Sequence, residues 1–484
     1  MNRYHIRVKI VYLLLILLCV PPAVADDLPD LGESAQAVLT PLDEQRIAEA
    51  IMREVSSSGE ILNDVEVVDY LQALGYRLVS QSSDNRQRFI FFVVKDNTIN
   101  AFAMPGGVIG VHTGLLLSSG SESELASVLA HEIGHVVQRH LARMVAQQQR
   151  DAWKSYLGLA FGLLAARTNP QLAGASMQAA SAGAIQRQLD YTREHEREAD
   201  RVGLTILQKS GFDTRAMPNF FEQLQRGTRF YDGGAPAFLR THPLTTERIA
   251  DVKNRVDQMP YRQVLDSPEF HYVRARIRAG QGSPQQAVNW FETGLKEKRY
   301  VSEAAQRYGL AVALMRANEV GRAGTEVSWL EANAPRHPML ENLAAHVELA
   351  SGGRAEAEKR FRSALNIYPD HRGLIYGYVE LLLASGQPQS ALKLLKEKQL
   401  VFSWDPYLFE LESQAWTQQG KTLLRHQAQG EAYYRRYNLQ GAVEQMELAA
   451  RSGDGDFYQL SIVEARLKQL RLLLAPPKEK GWFD

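Results

Sequence analysis

Apolar residues along this chain recur first in a mixed helical and alternating pattern and later in a strictly helical one. From Pro41 to about Val55 the spacing predicts a helix, and over Val65 to Val79 the residues Val68, Leu71, Leu74, Tyr76 and Leu78 gather on one helical face. Phe89 to Val94 is an unbroken run of β-formers and predicts a buried strand. Pro105-Gly106-Gly107 predicts a turn, with a second strand over Val108 to His112. Ser121 and the acids Glu122 and Glu124 open a helix expected to run to about Gln149. Another helix is expected from about Arg187 to Ser210. After Thr241-His242-Pro243 a short helix ends near Gln258. Within residues 157–184, Leu157–Arg167 is apolar and Gly174–Ala184 is rich in small residues. Packed helices are the plainest reading of that stretch; a lid or a segment touching a membrane surface are the alternatives.

Beyond Pro268 the pattern becomes an internal repeat. Ala357, Phe361, Ala364 and Pro369 share their offsets with Ala323, Val327, Leu330 and Pro335. Ala287, Phe291 and Gly294 match the first three of these positions, as do Ala442, Met446 and Ala449, while Ala391 and Leu395 match two. The longer step between Ala391 and Ala442 predicts an extra helix there. Gly430 and Tyr433 fit the same pattern ahead of Ala442. The alternation of small and large residues resembles the tetratricopeptide repeat, an α-solenoid of stacked helix pairs that commonly receives protein segments.

Composition bounds the chemistry. The 484 residues hold 55 Lys and Arg against 55 Asp and Glu, with 45% hydrophobic residues, so no nucleic-acid partner is expected. The single cysteine, Cys19, excludes an intrachain disulfide and any thiolate-rich metal site. Cys19 also sits in a segment that reads as an export signal. Arg3, Arg7 and Lys9 precede an apolar run, Ile10 to Val20, and Ala23-Val24-Ala25 offers a cleavage pattern. Cleavage after Ala25 would remove three cations and no acids, leaving a mature chain of about −3 without a thiol. Any metal must then be held by carboxylates and by the 12 histidines.

His131-Glu132-Ile133-Gly134-His135 lies inside the helix predicted after Ser121. Four residues bring the two histidines onto one face a turn apart, a spacing that suits two imidazole ligands of one zinc ion. Glu132 stands off that axis, where it can reach a water at the metal and act as general base. On a continuous helix His140 would point some 140° away from His135, which predicts a structural surface role. No glutamate occurs between Glu132 and Glu194. Glu194, Glu196 and Glu198 then cluster in one predicted helix with Asp200, and spacing alone does not choose a third ligand among them.

The HExxH motif followed by Glu196-Arg197-Glu198-Ala199-Asp200 resembles the ExxAD signature of the peptidase family that includes HtpX and the CAAX prenyl endopeptidase. Asn100-Ala101-Phe102-Ala103-Met104-Pro105-Gly106-Gly107 is similar to that family's block before the active-site helix. The resemblance implies Zn2+, one per chain, on His131, His135 and Glu196, with Asp200 orienting a ligand histidine. It implies that loop-borne His242 takes the open zinc position and keeps the enzyme latent, with Arg248 tethering that loop. Gly107, Val108, Ile109 and Gly110 are expected to form a sheet edge on which an extended substrate adds as a strand.

With the signal and the repeats, the chain resembles periplasmic proteases that promote the assembly of outer-membrane β-barrel proteins and degrade stalled ones. This implies such proteins and their assembly machinery as partners through the repeats. The expected architecture is mainly α. It has a signal at 1–25, an entry segment at 26–40 and a helical zincin-type metalloprotease domain with a small β-sheet at 41–258. A linker at 259–268, a tetratricopeptide-like solenoid at 269–475 and a tail at 476–484 follow.

Overall fold

A computed structural model describes residues 40–84, 87–147, 182–228 and 237–474. The expected signal, the entry segment up to residue 39, the stretch 157–181 and the tail lie outside the described residues.

The first helices are α1 (Pro41–Ser57) and α2 (Val65–Val79), the latter capped by Asp64, which accepts hydrogen bonds from the amides of Glu66 and Val67. A three-stranded sheet follows, made of β1 (Ile90–Val94), β2 (Ala101–Met104) and β3 (Val108–His112), in the order β1-β3-β2. β3 pairs parallel with β1 and antiparallel with β2. Strand β2 is absent from the sequence reading, because four residues of Ala, Phe and Met carry too little periodicity to be told from a loop. The turn that folds β2 back on β3 places Gly106 and Gly107 both at φ +76°, a conformation that strains any side chain.

Helix α3 (Thr113–Ser118) leads to α4 (Glu122–Val137), whose cap Ser121 accepts from the Glu124 amide. The helix expected to reach Gln149 stops at Val137. Arg139 takes the left-handed conformation at φ 51°, and the chain restarts as α5 (His140–Gln147). Then come α6 (Ala182–Lys209), α7 (Ala216–Thr228), α8 (Ala237–Thr241) and α9 (Thr246–Val256). Leu125, Leu129 and Ile133 of α4 are fully buried, and each such side chain contributes about 1.5–3 kcal/mol on leaving water.

Residues 257–267 carry no regular element, and the repeats begin at α10 (Pro268–Gly280) and α11 (Pro284–Lys296). They continue as α12 (Glu303–Arg316), α13 (Val320–Asn333), α14 (Pro338–Ala350), α15 (Arg354–Ile367), α16 (Arg372–Ala384) and α17 (Pro388–Val401). The last four are α18 (Pro406–Gln418), α19 (Thr422–Arg435), α20 (Leu439–Ala450) and α21 (Phe457–Leu474). The repeat residues Ala287, Phe291, Ala323, Leu330, Ala357, Phe361, Ala364, Ala391, Leu395, Ala442, Met446 and Ala449 are all buried. Gly430 of α19 approaches Met446 and Ala442 of α20 so closely that a Cβ would stand 3.0 Å from the Met446 side chain. Helices α19 and α20 therefore pack closely, and two helices, α18 and α19, stand between α17 and α20 where the longer step predicts one more than in the other repeats.

The described residues within 41–141 and 182–474 belong to one compact unit. Its main apolar core runs from α2, the sheet and α4 through α7 into α10–α14. Among the described residues no helix is long and apolar enough to cross a membrane.

Candidate metal centre

Two helices build the centre because glycine lets them touch. At Gly134 of α4 an added Cβ would stand 3.0 Å from the Ala199 carbonyl of α6. At Gly203 of α6 it would stand 3.0 Å from the backbone at Ala130. The crossing sets His131 and His135 of α4 against Glu196 and Asp200 of α6, and His242 enters from the residue after α8.

Four side chains converge there, and their nearest donor atoms all lie within 4.8 Å of one another: His131, His135, Glu196 and His242. His131 Nε2 lies 3.1 Å from His135 Nε2 and 3.3 Å from His242 Nδ1. Glu196 Oε1 lies 3.3 Å from His135 Nε2 and 3.0 Å from His242 Nδ1, and Glu196 Oε2 lies 3.4 Å from His131 Nε2. Donors about 2.0–2.1 Å from one tetrahedral ion stand about 3.3 Å apart. Three imidazoles and a carboxylate at this spacing fit a borderline-soft divalent cation such as zinc.

Charge around the centre agrees with that fit. Burial works against a charge on His131, but Asp200 and Glu196 outweigh it and lift the imidazole up to about 10. Burial would raise the Glu196 carboxyl, yet His242, His135 and His131 hold it well below the usual range. Burial lowers His135; Glu196 partly offsets this, while His131 and His242 add to it. The two carboxylates thus favour positive charge at the place where a cation fits. Glu132 is fully buried, and neither carboxylate oxygen accepts a hydrogen bond. The nearest basic group is His242 Nε2, 3.3 Å from Oε1. A buried carboxylate without a donor is costly and marks a group kept for chemistry.

Around the donors lies a ring of polar supports. Asp200 Oδ1 stands 3.0 Å from His131 Nδ1. Arg248, at 2% exposure, donates two bonds of 2.8 Å to Asp200 and one of 2.9 Å to the Pro243 carbonyl, and sits 2.8 Å from Glu196 Oε2. Burial opposes charge at both groups; Arg248 and His131 still hold Asp200 below its ordinary pKa, and Asp200 with Glu196 raises Arg248. His140 departs from expectation. It is 3% exposed rather than at the surface, with Nδ1 2.9 Å from His135 Nδ1 and Nε2 3.0 Å from Glu198 Oε2. The break at Arg139 turns it back toward His135. Nothing in the local pattern marks a left-handed arginine, so the sequence reading missed this contact.

The expected substrate edge is also corrected. Gly107, Val108, Ile109 and Gly110 lie on the central strand and its entry, not on an edge. Val108 pairs with Ile90 on one side and Met104 on the other, Ile109 with Phe91 and Ala103, and Gly110 with Phe92 and Phe102. The Gly107 carbonyl accepts from the Ile90 amide. The unrecognised strand β2 takes the outer place. Beside it, the Phe238 amide of α8 donates to the Ile99 carbonyl at 3.1 Å, the His242 amide donates to Phe238 at 2.8 Å, and the Phe238 ring stacks on His242 at 4.7 Å.

Known proteins resemble this chain along most of its length. Residues 68–256 match the profile of Peptidase family M48, and residues 348–398 match a tetratricopeptide repeat. The chain is 33% identical over 455 residues to the beta-barrel assembly-enhancing protease of Escherichia coli strain K12, covering 93% of this chain and 92% of that one. It is 34% identical over 450 residues, with the same coverage, to the protein of that name from Yersinia pestis. A mitochondrial metalloendopeptidase of Arabidopsis thaliana, OMA1, is 34% identical over 158 residues, 32% of this chain and 29% of that one.

Proposed function

This chain belongs to the family of the beta-barrel assembly-enhancing proteases, metallopeptidases with a Peptidase family M48 domain, and we propose that it is a latent zinc endopeptidase of the bacterial envelope that serves outer-membrane β-barrel proteins. The convergence of His131, His135, Glu196 and His242 carries this reading. His131, His135 and Glu196 hold the ion. A zinc ion there supplies Lewis-acid polarisation of a peptide carbonyl and makes a water acidic near neutral pH. Glu132, buried and accepting no hydrogen bond from the protein, takes the proton of the attacking water and returns it to the leaving amine. Asp200 fixes His131 through Nδ1.

His242 is the latch. A catalytic zinc keeps one position open, and His242 Nδ1 sits among the other donors where that position would be, with Nε2 toward Glu132. Opening therefore requires α8 and the loop after it to withdraw, against the Arg248 bond to Pro243. The peptidase portion spans 41–258, the linker 259–268 and the repeat portion 269–475. The segment 1–25 directs export to the periplasm and leaves after Ala25, so the exported chain would begin at Asp26. The repeats take outer-membrane proteins or their assembly machinery.

The seat of His242 favours a second reading, in which binding is the main activity and cleavage is rare. In that case Glu132→Gln protein would still restore outer-membrane integrity to a strain lacking the gene. The deciding experiment measures zinc and proteolysis side by side. His131→Ala and Glu196→Ala should lose metal. Glu132→Gln should keep it while cleavage falls about 10²–10⁴-fold, and His242→Leu should keep zinc and cleave faster than wild type. Full zinc in His131→Ala would overturn the ligand assignment, and unchanged cleavage in His242→Leu would overturn the latch.

A further inference from the structure

We infer that His140 and Glu198 are positioning residues that fix the proton and the ring orientation of His135. The inference rests on His135 as a metal ligand. Its Nε2 faces His131 and Glu196, at 3.1 and 3.3 Å. A ring that offers Nε2 to a metal carries its proton on Nδ1, and that proton needs an acceptor to hold the ring in place. The atom opposite Nδ1 is Nδ1 of His140, at 2.9 Å. Two facing ring nitrogens form one hydrogen bond only if one carries the proton and the other does not, so His140 accepts there and bears its own proton on Nε2. That nitrogen faces Glu198 Oε2 at 3.0 Å. Every ring nitrogen in the line from Glu196 to Glu198 then has one role, and no two protons collide.

The surroundings hold His140 in this pose. His195, one residue before Glu196 on α6, stacks on its ring with centroids 4.2 Å apart and planes 7° from parallel. Ahead of it, Arg139 keeps the left-handed backbone, a conformation unfavourable for a residue with a side chain. Its guanidinium pairs with Glu44 of α1 at 2.9 Å, on the far side of the break. Strain of that kind persists where the neighbourhood overdetermines it. Its effect here is to turn the residue after the break back onto the metal helix. The two ligand histidines are thus backed differently, His131 directly by the carboxylate of Asp200 and His135 by a neutral imidazole that is itself backed by a carboxylate.

The test is zinc affinity, measured by competition with a chromophoric chelator on the full chain, with thermal unfolding of each metal-free variant as a check on folding. His140→Leu should weaken zinc about 10–100-fold. His140→Asn sets an amide oxygen near the place of Nδ1 and should regain most of that loss. Glu198→Ala should weaken zinc severalfold. Wild-type affinity in His140→Leu, or an Asn variant as weak as the Leu variant, would overturn the inference. If His140→Leu does not fold, Glu198→Ala decides: weaker zinc supports the relay and wild-type zinc overturns it. His131→Ala run alongside separates the two claims. Loss of metal there with no effect at His140 and Glu198 removes only the relay, whereas metal retained in His131→Ala removes the site itself.

Discussion

One guanidinium joins three parts of the centre that lie far apart in the chain. Arg248 grips Asp200 through two bonds, approaches Glu196, and holds the carbonyl of Pro243 beside His242. Its fork geometry makes this possible, since five donors on a rigid plane can serve a carboxylate and two further acceptors at once. Lysine cannot. Arg248→Lys should lower stability by about 1–3 kcal/mol, the usual cost of leaving buried acceptors without a donor, and should raise cleavage per bound zinc because the proposed latch loses its tether. A denaturation midpoint and a specific activity unchanged from wild type would count against both statements. Much of this was legible at the level of single residues. The spacing of His131 and His135 is a local property of any helix, whereas the tether expected of Arg248 comes from the family resemblance and is a proposal. His140 was not legible, because its place depends on the backbone of Arg139 rather than on the identity of any side chain.

At the scale of elements, the centre is a helix crossing made close by two glycines. Gly134 and Gly203 face the backbone of the opposite helix, at Ala199 and Ala130, rather than a side chain that could move aside. Gly134→Ala should therefore push α4 from α6, costing about 1–3 kcal/mol as an overpacked core does and weakening zinc by separating His131 and His135 from Glu196. Zinc affinity and the unfolding midpoint, measured together, check it. Unaltered zinc binding would show that the helices have room to give. The periodicity that predicts both helices says nothing of their separation, so the sequence reading named the ligands' helices without seeing why they meet. The sheet failed for the opposite reason. Strand β2 is too short to show a period, and without it the pattern presents β3 as an edge, although its residues pair on both sides.

On the scale of the whole molecule, the repeats hold the peptidase portion through α2. Asp64 meets Arg276 of α10 at 2.7 Å, Glu66 meets His371 at the start of α16 at 2.9 Å, and Asp69 meets Arg372 at 2.7 Å. Asn342 of α14 adds a bond of 2.7 Å to Glu66. Asp69 and Arg372 stand 303 residues apart, a separation that no local pattern reports. Glu66 is 2% exposed, so its pairing must depend on the protonation of its partner. Burial opposes the charge on His371, but Glu66, with Asp69 and Glu269 beyond it, lifts the imidazole above its ordinary 6.5. Burial would likewise raise Glu66, yet His371, Arg276 and Asn342 hold it below 4.5. His337 nearby is pushed by burial down to about 4 and stays neutral across the range that matters. A histidine with a raised pKa gives its full stabilisation below the unfolded value and loses it as the pH climbs through the folded one. A carboxylate with a lowered pKa gives its own above 4.5. The pair is therefore strongest between about pH 4.5 and 6.5 and fades as the pH climbs above the ordinary histidine value. His371→Gln, which keeps a hydrogen bond without the charge, should cost about 1–3 kcal/mol near pH 5.5. The gap between variant and wild type should narrow steadily as the pH rises, when both are unfolded in urea at each pH. A gap that stays constant from pH 5.5 to about pH 9 would mean that His371 holds Glu66 without ever carrying charge.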